Sequence, residues 1–279
     1  MKTLTVIGAG KVGQVLAQQF VRHQVFTIYQ ICNRSLTSAQ QAVSMIGAGS
    51  AVSTVAQLTP ADVYLLTVPD DYIAATCQTL VEAGLMDAGS IVFHCSGAKA
   101  SSELATAATT GAAVASVHPV RSFADIGYVA ANFSGTICSL EGDDSALDIL
   151  LPAMQKTGAQ TVRISAENKL LYHAGSVFAS NYLVTLMDMA LHTYQAAGIP
   201  PELAKAMAQP LAQQSLNNVF QLGSAVALTG PIARGDMATV IKQQQIVSEW
   251  DANAGALYQA FTLPTIALAQ RKQTPYSEK

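Results

Sequence analysis

Three polar side chains in a largely apolar sequence have the chemistry to move a proton. His118 stands in SVHPVRSF, while Lys169 and His173 stand in ENKLLYHAGS. A histidine at the C-terminal end of a strand can give a hydrogen bond or a proton to a carbonyl oxygen. Lys169 and His173 are four residues apart, which puts both on one face of a helix. Burial draws a lysine's pKa down toward the range that suits acid–base work. Near the end of the chain, LTGPIARGD adds Arg234, a candidate partner for an anionic group, and Asp236, placed to cap or orient the next helix and to hold Arg234. We read that loop as a wall of the same site.

These groups need a frame, and the first half of the chain supplies one. TLTVI (3–7) reads as a strand and runs directly into GAGKVG, after which apolar residues recur at helical spacing. Gly8, Gly10 and Gly13 form GxGxxG in the context that gives the pattern meaning: after a strand and at the opening of a helix. Gly8 serves the tight turn, Gly10 the approach of a pyrophosphate, and Gly13 close helix–strand packing. The N–H groups of Ala9, Lys11 and Val12 complete the phosphate cradle. Where an acid would select NAD, the second strand ends in Asn33, Arg34 and Ser35. A guanidinium and a hydroxyl suit a 2′-phosphate, so the expected cofactor is NADP(H). TVPDD and HCSGA end later strands, making Val68, Pro69, Cys95, Ser96 and Gly97 candidates to line the ribose and nicotinamide, with Asp70 and Asp71 as helix caps.

Strands expected at 27–33, 62–68, 90–94, 113–117, 135–140 and 161–164 alternate with helices, which predicts a doubly wound, mostly parallel α/β Rossmann domain. From about residue 166 the pattern is all-α. We expect residues 1–165 to form the NADP-binding domain and 166–279 a helical substrate and dimerisation domain. Within a continuous helix over 167–192, Lys169, His173, Ser176 and Ser180 define one polar stripe. Asn181, Thr185, Asp188 and His192 define a second.

Half of the 279 residues are hydrophobic and only 12% are charged, which leaves surface to bury in a homodimer. The net charge is −3 with no basic stripe, which argues against a nucleic-acid partner. The apolar runs are too short or too interrupted for a signal peptide or membrane span. Four widely spaced cysteines support neither disulfides nor a metal site, consistent with a cytoplasmic protein.

The element order and GAGKVG resemble the β-hydroxyacid dehydrogenase, pyrroline-5-carboxylate reductase and ketopantoate reductase group. HCSGA, HPVRSF, NKLLYHAGSVFASN and TGPIARGD more closely resemble a bacterial family of Rossmann-like NADP oxidoreductases whose helical C-terminal domain has no assigned function. The resemblance implies hydride transfer to or from a small carbonyl, imine or hydroxy compound. It also matches Lys169 to the catalytic lysine of the β-hydroxyacid dehydrogenases, although His173 replaces their asparagine. The alternative is a non-catalytic NADP(H)-binding or redox-sensing protein.

Overall fold

The sheet is built from β1 (Thr3–Ile7), β2 (Thr27–Cys32), β3 (Ser50–Val52), β4 (Val63–Leu66), β5 (Ile91–His94), β6 (Ala113–Pro119), β7 (Ile137–Gly142) and β8 (Gln160–Arg163). They lie side by side in the order β3-β2-β1-β4-β5-β6-β7-β8 in a computed structural model that describes residues 1–271. All neighbours are parallel except β6 and β7, which are antiparallel. Strand order reverses between β1 and β4, the position where doubly wound sheets open a ligand crevice at their C-terminal ends.

Helices α1 (Lys11–Arg22), α2 (Leu36–Ile46), α3 (Ile73–Glu82), α4 (Ala105–Ala108), α5 (Ile126–Ala131) and α6 (Asp144–Lys156) connect the strands. Both faces of the sheet are covered, so strand residues alternate between two apolar layers instead of between core and water. Val63 and Leu65 of β4 join Leu16, Phe20 and Phe93 in one layer. Tyr64 and Leu66 join Ile73, Leu80 and Leu104 in the other.

The expected helix over 167–192 is interrupted. Ser180, at φ −126° and ψ −70°, leaves helical geometry, so α7 (Lys169–Ala179) and α8 (Asn181–Ala196) are separate helices. The two polar stripes therefore do not belong to one rod. The chain also divides here into two compact units, Met1–Ser180 and a second opening at Asn181. Helix α7 thus belongs with the sheet, although sequence patterning assigned it to the helical half.

The second unit comprises α8, α9 (Pro201–Leu222), α10 (Ser224–Ala227), α11 (Met237–Trp250) and α12 (Ala252–Arg271). Among its described residues only Ala204, Val240, Ala254 and Gly255 are buried. Leu211, Phe220, Ile241, Ile246, Trp250 and Phe261 are exposed. An apolar cavity of about 650 Å³ lies between α8, α11 and α12, lined by Leu186, Met189, Ile246, Leu257 and Phe261. No helix among the described residues is long and apolar enough to cross a membrane.

Candidate active site

The glycine loop leaves β1 at the strand-order reversal. Gly8 adopts φ +80°, and a Cβ there would fall 2.7 Å from Val68 Cγ1, so the turn and the close approach both require glycine. A Cβ on Gly13 would collide with Thr67 Oγ1, which confirms its role in helix–strand packing. A Cβ on Gly10 would meet nothing closer than Gly8 O at 3.8 Å, and Gly10 is exposed. No side chain caps α1 and no acid stands in its first turn. Its leading N–H groups therefore have no capping side chain, and the positive end of the helix dipole stands behind them.

The neighbouring residues divide their roles differently from the sequence expectation. Asn33 Oδ1 accepts the Ala9 N–H at 2.7 Å, so this side chain braces the loop instead of projecting from it. Ser35 caps α2 by accepting the Ser38 N–H at 3.2 Å. Arg34 is exposed and has no partner among the described residues. Lys11 Nζ donates to Ala124 O at 3.1 Å. Val68 is packed on Gly8, and Pro69 is exposed. The Ser96 hydroxyl donates to Asp70 Oδ2 at 2.6 Å and accepts the Lys99 N–H at 2.9 Å. Asp70 therefore fixes the HCSGA turn and does not cap a helix. Burial pushes the Cys95 thiol pKa up, which keeps it protonated.

The candidate proton-handling groups form two rows across β6, β7 and α7. Alternation in β6 puts Ser116 and His118 on one face. The antiparallel register sets Glu141 opposite Ser116 and Ser139 opposite His118, and directly opposed residues share a face. One turn of α7 lies over these pairs. Lys169 Nζ donates to Ser116 Oγ at 2.7 Å and lies 3.7 Å from Glu141 Oε1. The Tyr172 hydroxyl is 2.9 Å from His118 Nδ1.

In the first row the charges are sealed in, Lys169 at 1% and Glu141 at 4% side-chain exposure. Glu141 also accepts the Ser101 N–H and O–H, both at 2.7 Å. Burial lowers the Lys169 pKa, as expected, and Glu141 works against that shift. With its ammonium held by Ser116 and Glu141, Lys169 organises the site from beneath. Burial, followed by the charges of His173 and Lys169, brings His118 down to about 4, so it is a neutral imidazole near pH 7.

His173 completes the cluster. Its ring centroid is 5.5 Å from that of His118. Its Nδ1 is buried without a hydrogen-bond partner among the described residues, a costly state for an imidazole nitrogen. A Cβ on Gly97 would collide with His173 Nδ1 and fall 2.8 Å from His118 Nε2. Both rings therefore pack onto the backbone at Gly97, where only glycine leaves them room. Sequence reading named His118, His173 and Gly97 separately and missed Tyr172, Ser116 and Glu141. The i, i+3, i+4 spacing of Lys169, Tyr172 and His173 and the alternation of Ser116 and His118 were the available signals.

Other polar groups stand elsewhere. Arg121 NH1 donates to Asn132 O and Thr136 Oγ1, which ties down its own loop. His94 is fully buried in β5 with Nε2 3.0 Å from Ala100 O. In the second unit, Asp236 caps α11 by accepting the Thr239 N–H at 3.1 Å, as expected. Arg234 is exposed and makes no direct ion pair with Asp236, although its charge adds to the Thr239 hydrogen bonds that lower the Asp236 pKa.

A glycine turn at the strand-order reversal of a mostly parallel, doubly wound sheet defines a Rossmann-like fold. Residues 2–119 match the Rossmann-like domain, and residues 136–265 match a domain of unknown function, DUF2520. The chain therefore joins a Rossmann-like domain to a DUF2520 domain. No curated protein matches it. Among solved structures it is similar to protein TM1727 from Thermotoga maritima, at 24% identity and TM-score 0.73, over 97% of this chain and 100% of that one. It is also similar to the putative NADP oxidoreductase BF3122 from Bacteroides fragilis, at 19% identity and TM-score 0.77, over 95% and 98%. An imine reductase from Myxococcus stipitatus in complex with NADP+ follows at 16% identity and TM-score 0.68, over 98% and 100%. At these identities the likeness is one of fold.

Proposed function

We propose that the protein is an NADP(H)-dependent oxidoreductase acting on a small carbonyl, imine or hydroxy compound. The observation that carries this reading is the packing of His173 on His118, ring centroids 5.5 Å apart, with His173 Nδ1 buried and unpartnered among the described residues. NADP-bound and NADP-named proteins among the structural relatives support the cofactor, as do the open N-terminus of α1 and the unpaired Arg34. Gly8, Gly10 and the first-turn N–H groups of α1 would hold the pyrophosphate, and Arg34 the 2′-phosphate. The bound nicotinamide supplies or accepts the hydride.

The chain's own residues handle the proton. Tyr172 O–H donates to the neutral His118 at Nδ1, which leaves the His118 proton on Nε2 and directed at the substrate atom. His173 Nδ1 carries the proton to and from that atom. Lys169, Ser116 and Glu141 fix the floor of the site. We further propose that the protein works in the cytoplasm as a homodimer in which a second copy covers the exposed apolar side chains of the helical unit.

A metabolite panel monitored by NADPH oxidation, run on the wild type and on His173→Ala, tests the reading. Turnover that falls in the variant while NADPH affinity holds supports it. NADPH binding with no turnover of any compound points to the binding-only alternative.

A further inference from the structure

The end of β4 brings a fixed carboxylate to the crevice. Val68 packs on Gly8, and two residues later Asp70 reaches across to the end of β5, where its Oδ2 accepts the Ser96 hydroxyl at 2.6 Å. That hydroxyl also accepts the Ala98 and Lys99 N–H groups, at 3.2 Å and 2.9 Å, so the carboxylate is held against the HCSGA turn. The next residue of the turn is Gly97, on which His118 and His173 pack. Asp70 is exposed, and its Oδ1 takes no hydrogen bond among the described residues. Its charge is felt in the cluster: burial lowers the pKa of both His118 and Lys169, and Asp70 works against both shifts.

Strand order gives the carboxylate its place along a bound dinucleotide. The N-terminus of α1 is the pyrophosphate position, and Arg34, after β2, is the 2′-phosphate position. With the order β2-β1-β4-β5, the adenosine half runs toward β2 and the nicotinamide half toward the ends of β4 and β5, where Asp70 stands. A nicotinamide ring is neutral when reduced and carries a positive charge when oxidised, while the phosphates of the two forms are identical. A carboxylate beside the ring therefore separates the two forms by charge alone.

We propose that Asp70 is the residue through which the protein distinguishes the redox state of its cofactor, shifting the balance of binding toward NADP+ and away from NADPH. The inference rests on the NADP(H) reading above and goes beyond it. Asp70 acts in the same sense during turnover. As hydride leaves with its electron pair for the substrate carbon, Asp70 stabilises the positive charge left on the ring, which favours substrate reduction in the bound complex. Ser96 is a positioning residue that aims the carboxylate.

The test is isothermal titration of the full-length protein with NADP+ and with NADPH. Asp70→Asn removes the charge and keeps an acceptor for the Ser96 hydroxyl. It should weaken NADP+ by about threefold or more and leave NADPH within about twofold of wild type. Two further measurements separate charge from shape. Raising the ionic strength from about 0.01 M to about 1 M cuts the screening length from about 30 Å to about 3 Å, so it should erase most of the difference in affinity ratio between wild type and Asp70→Asn. Asp71→Asn removes a neighbouring carboxylate that is also exposed but that Ser96 does not hold, and it should change the ratio less. A ratio unchanged in Asp70→Asn, whether both forms weaken or neither does, overturns the inference and leaves NADP(H) binding standing. So does an equal effect of Asp71→Asn, or a difference that survives high salt. Binding of neither form by the wild type overturns both.

Discussion

Lys169 Nζ lies 3.7 Å from Glu141 Oε1, and both side chains are almost sealed from water. Desolvation of two ions is costly, so such a pair is weak evidence for stability, whereas removing one partner strands the other charge. Glu141→Gln should therefore lower the unfolding free energy by about 3–5 kcal/mol. Lys169→Met combined with Glu141→Leu should recover most of that loss. Denaturant unfolding of the three proteins checks this. A Glu141→Gln variant as stable as wild type would mean that the lysine is neutral in the fold.

His118 gives the protein an acid-sensitive term. Its folded-state pKa is about 4 against an ordinary 6.5, so the unfolded chain binds the proton more readily between those values. The stabilisation is fully present above pH 6.5 and is lost as pH falls toward 4. The complete loss is on the order of 3 kcal/mol. His118→Asn should flatten the difference in stability across that window, measured by thermal unfolding in parallel buffers.

Gly97→Ala should disrupt the site with little effect elsewhere. The added methyl would collide with His173 Nδ1 and press on His118 Nε2, so both rings must turn. Overpacking of this kind costs about 1–3 kcal/mol. Imidazole NMR should report both rings displaced and turnover should fall, while NADPH affinity stays within a few-fold of wild type.

Arg34→Ala should lower the ratio of NADPH to NADH affinity by about tenfold or more, the worth of one charge-assisted hydrogen-bonded contact. Isothermal titration of both cofactors settles it, since an unchanged ratio rules out Arg34 as the 2′-phosphate residue.

The exposed apolar residues of the helical unit should be covered by a second copy. Phe220 is 85% exposed in the single chain. On a monomer, Phe220→Glu would be a surface change of roughly ±0.5 kcal/mol. On a dimer it should lower the mass seen by light scattering. A monomeric wild type would refute the homodimer.

The features most legible in the sequence were those whose physics is local. GAGKVG after an apolar run marked the turn at Gly8 and the packing at Gly13 because both are properties of consecutive residues. Asp236 was read as a cap for the same reason. Strand direction is not local. Nothing in ICSLEG states that β7 runs against β6, yet that reversal sets Glu141 beside Ser116. β3 escaped notice because three residues cannot display a period. Asn33 was assigned to the ligand because its bond to Ala9 spans 24 positions and depends on the fold. The helix break at Ser180 carries no glycine or proline signal of its own.

The match to the domain of unknown function opens at Thr136, one residue before β7, inside the sheet and not at the helices. The matched domain therefore begins well before the compact helical unit that opens at Asn181. To transplant that domain onto another nucleotide-binding sheet would mean carrying β7, β8, α6 and α7, and with them Glu141, Lys169, Tyr172 and His173. A graft cut at the helices alone would leave these candidate residues behind.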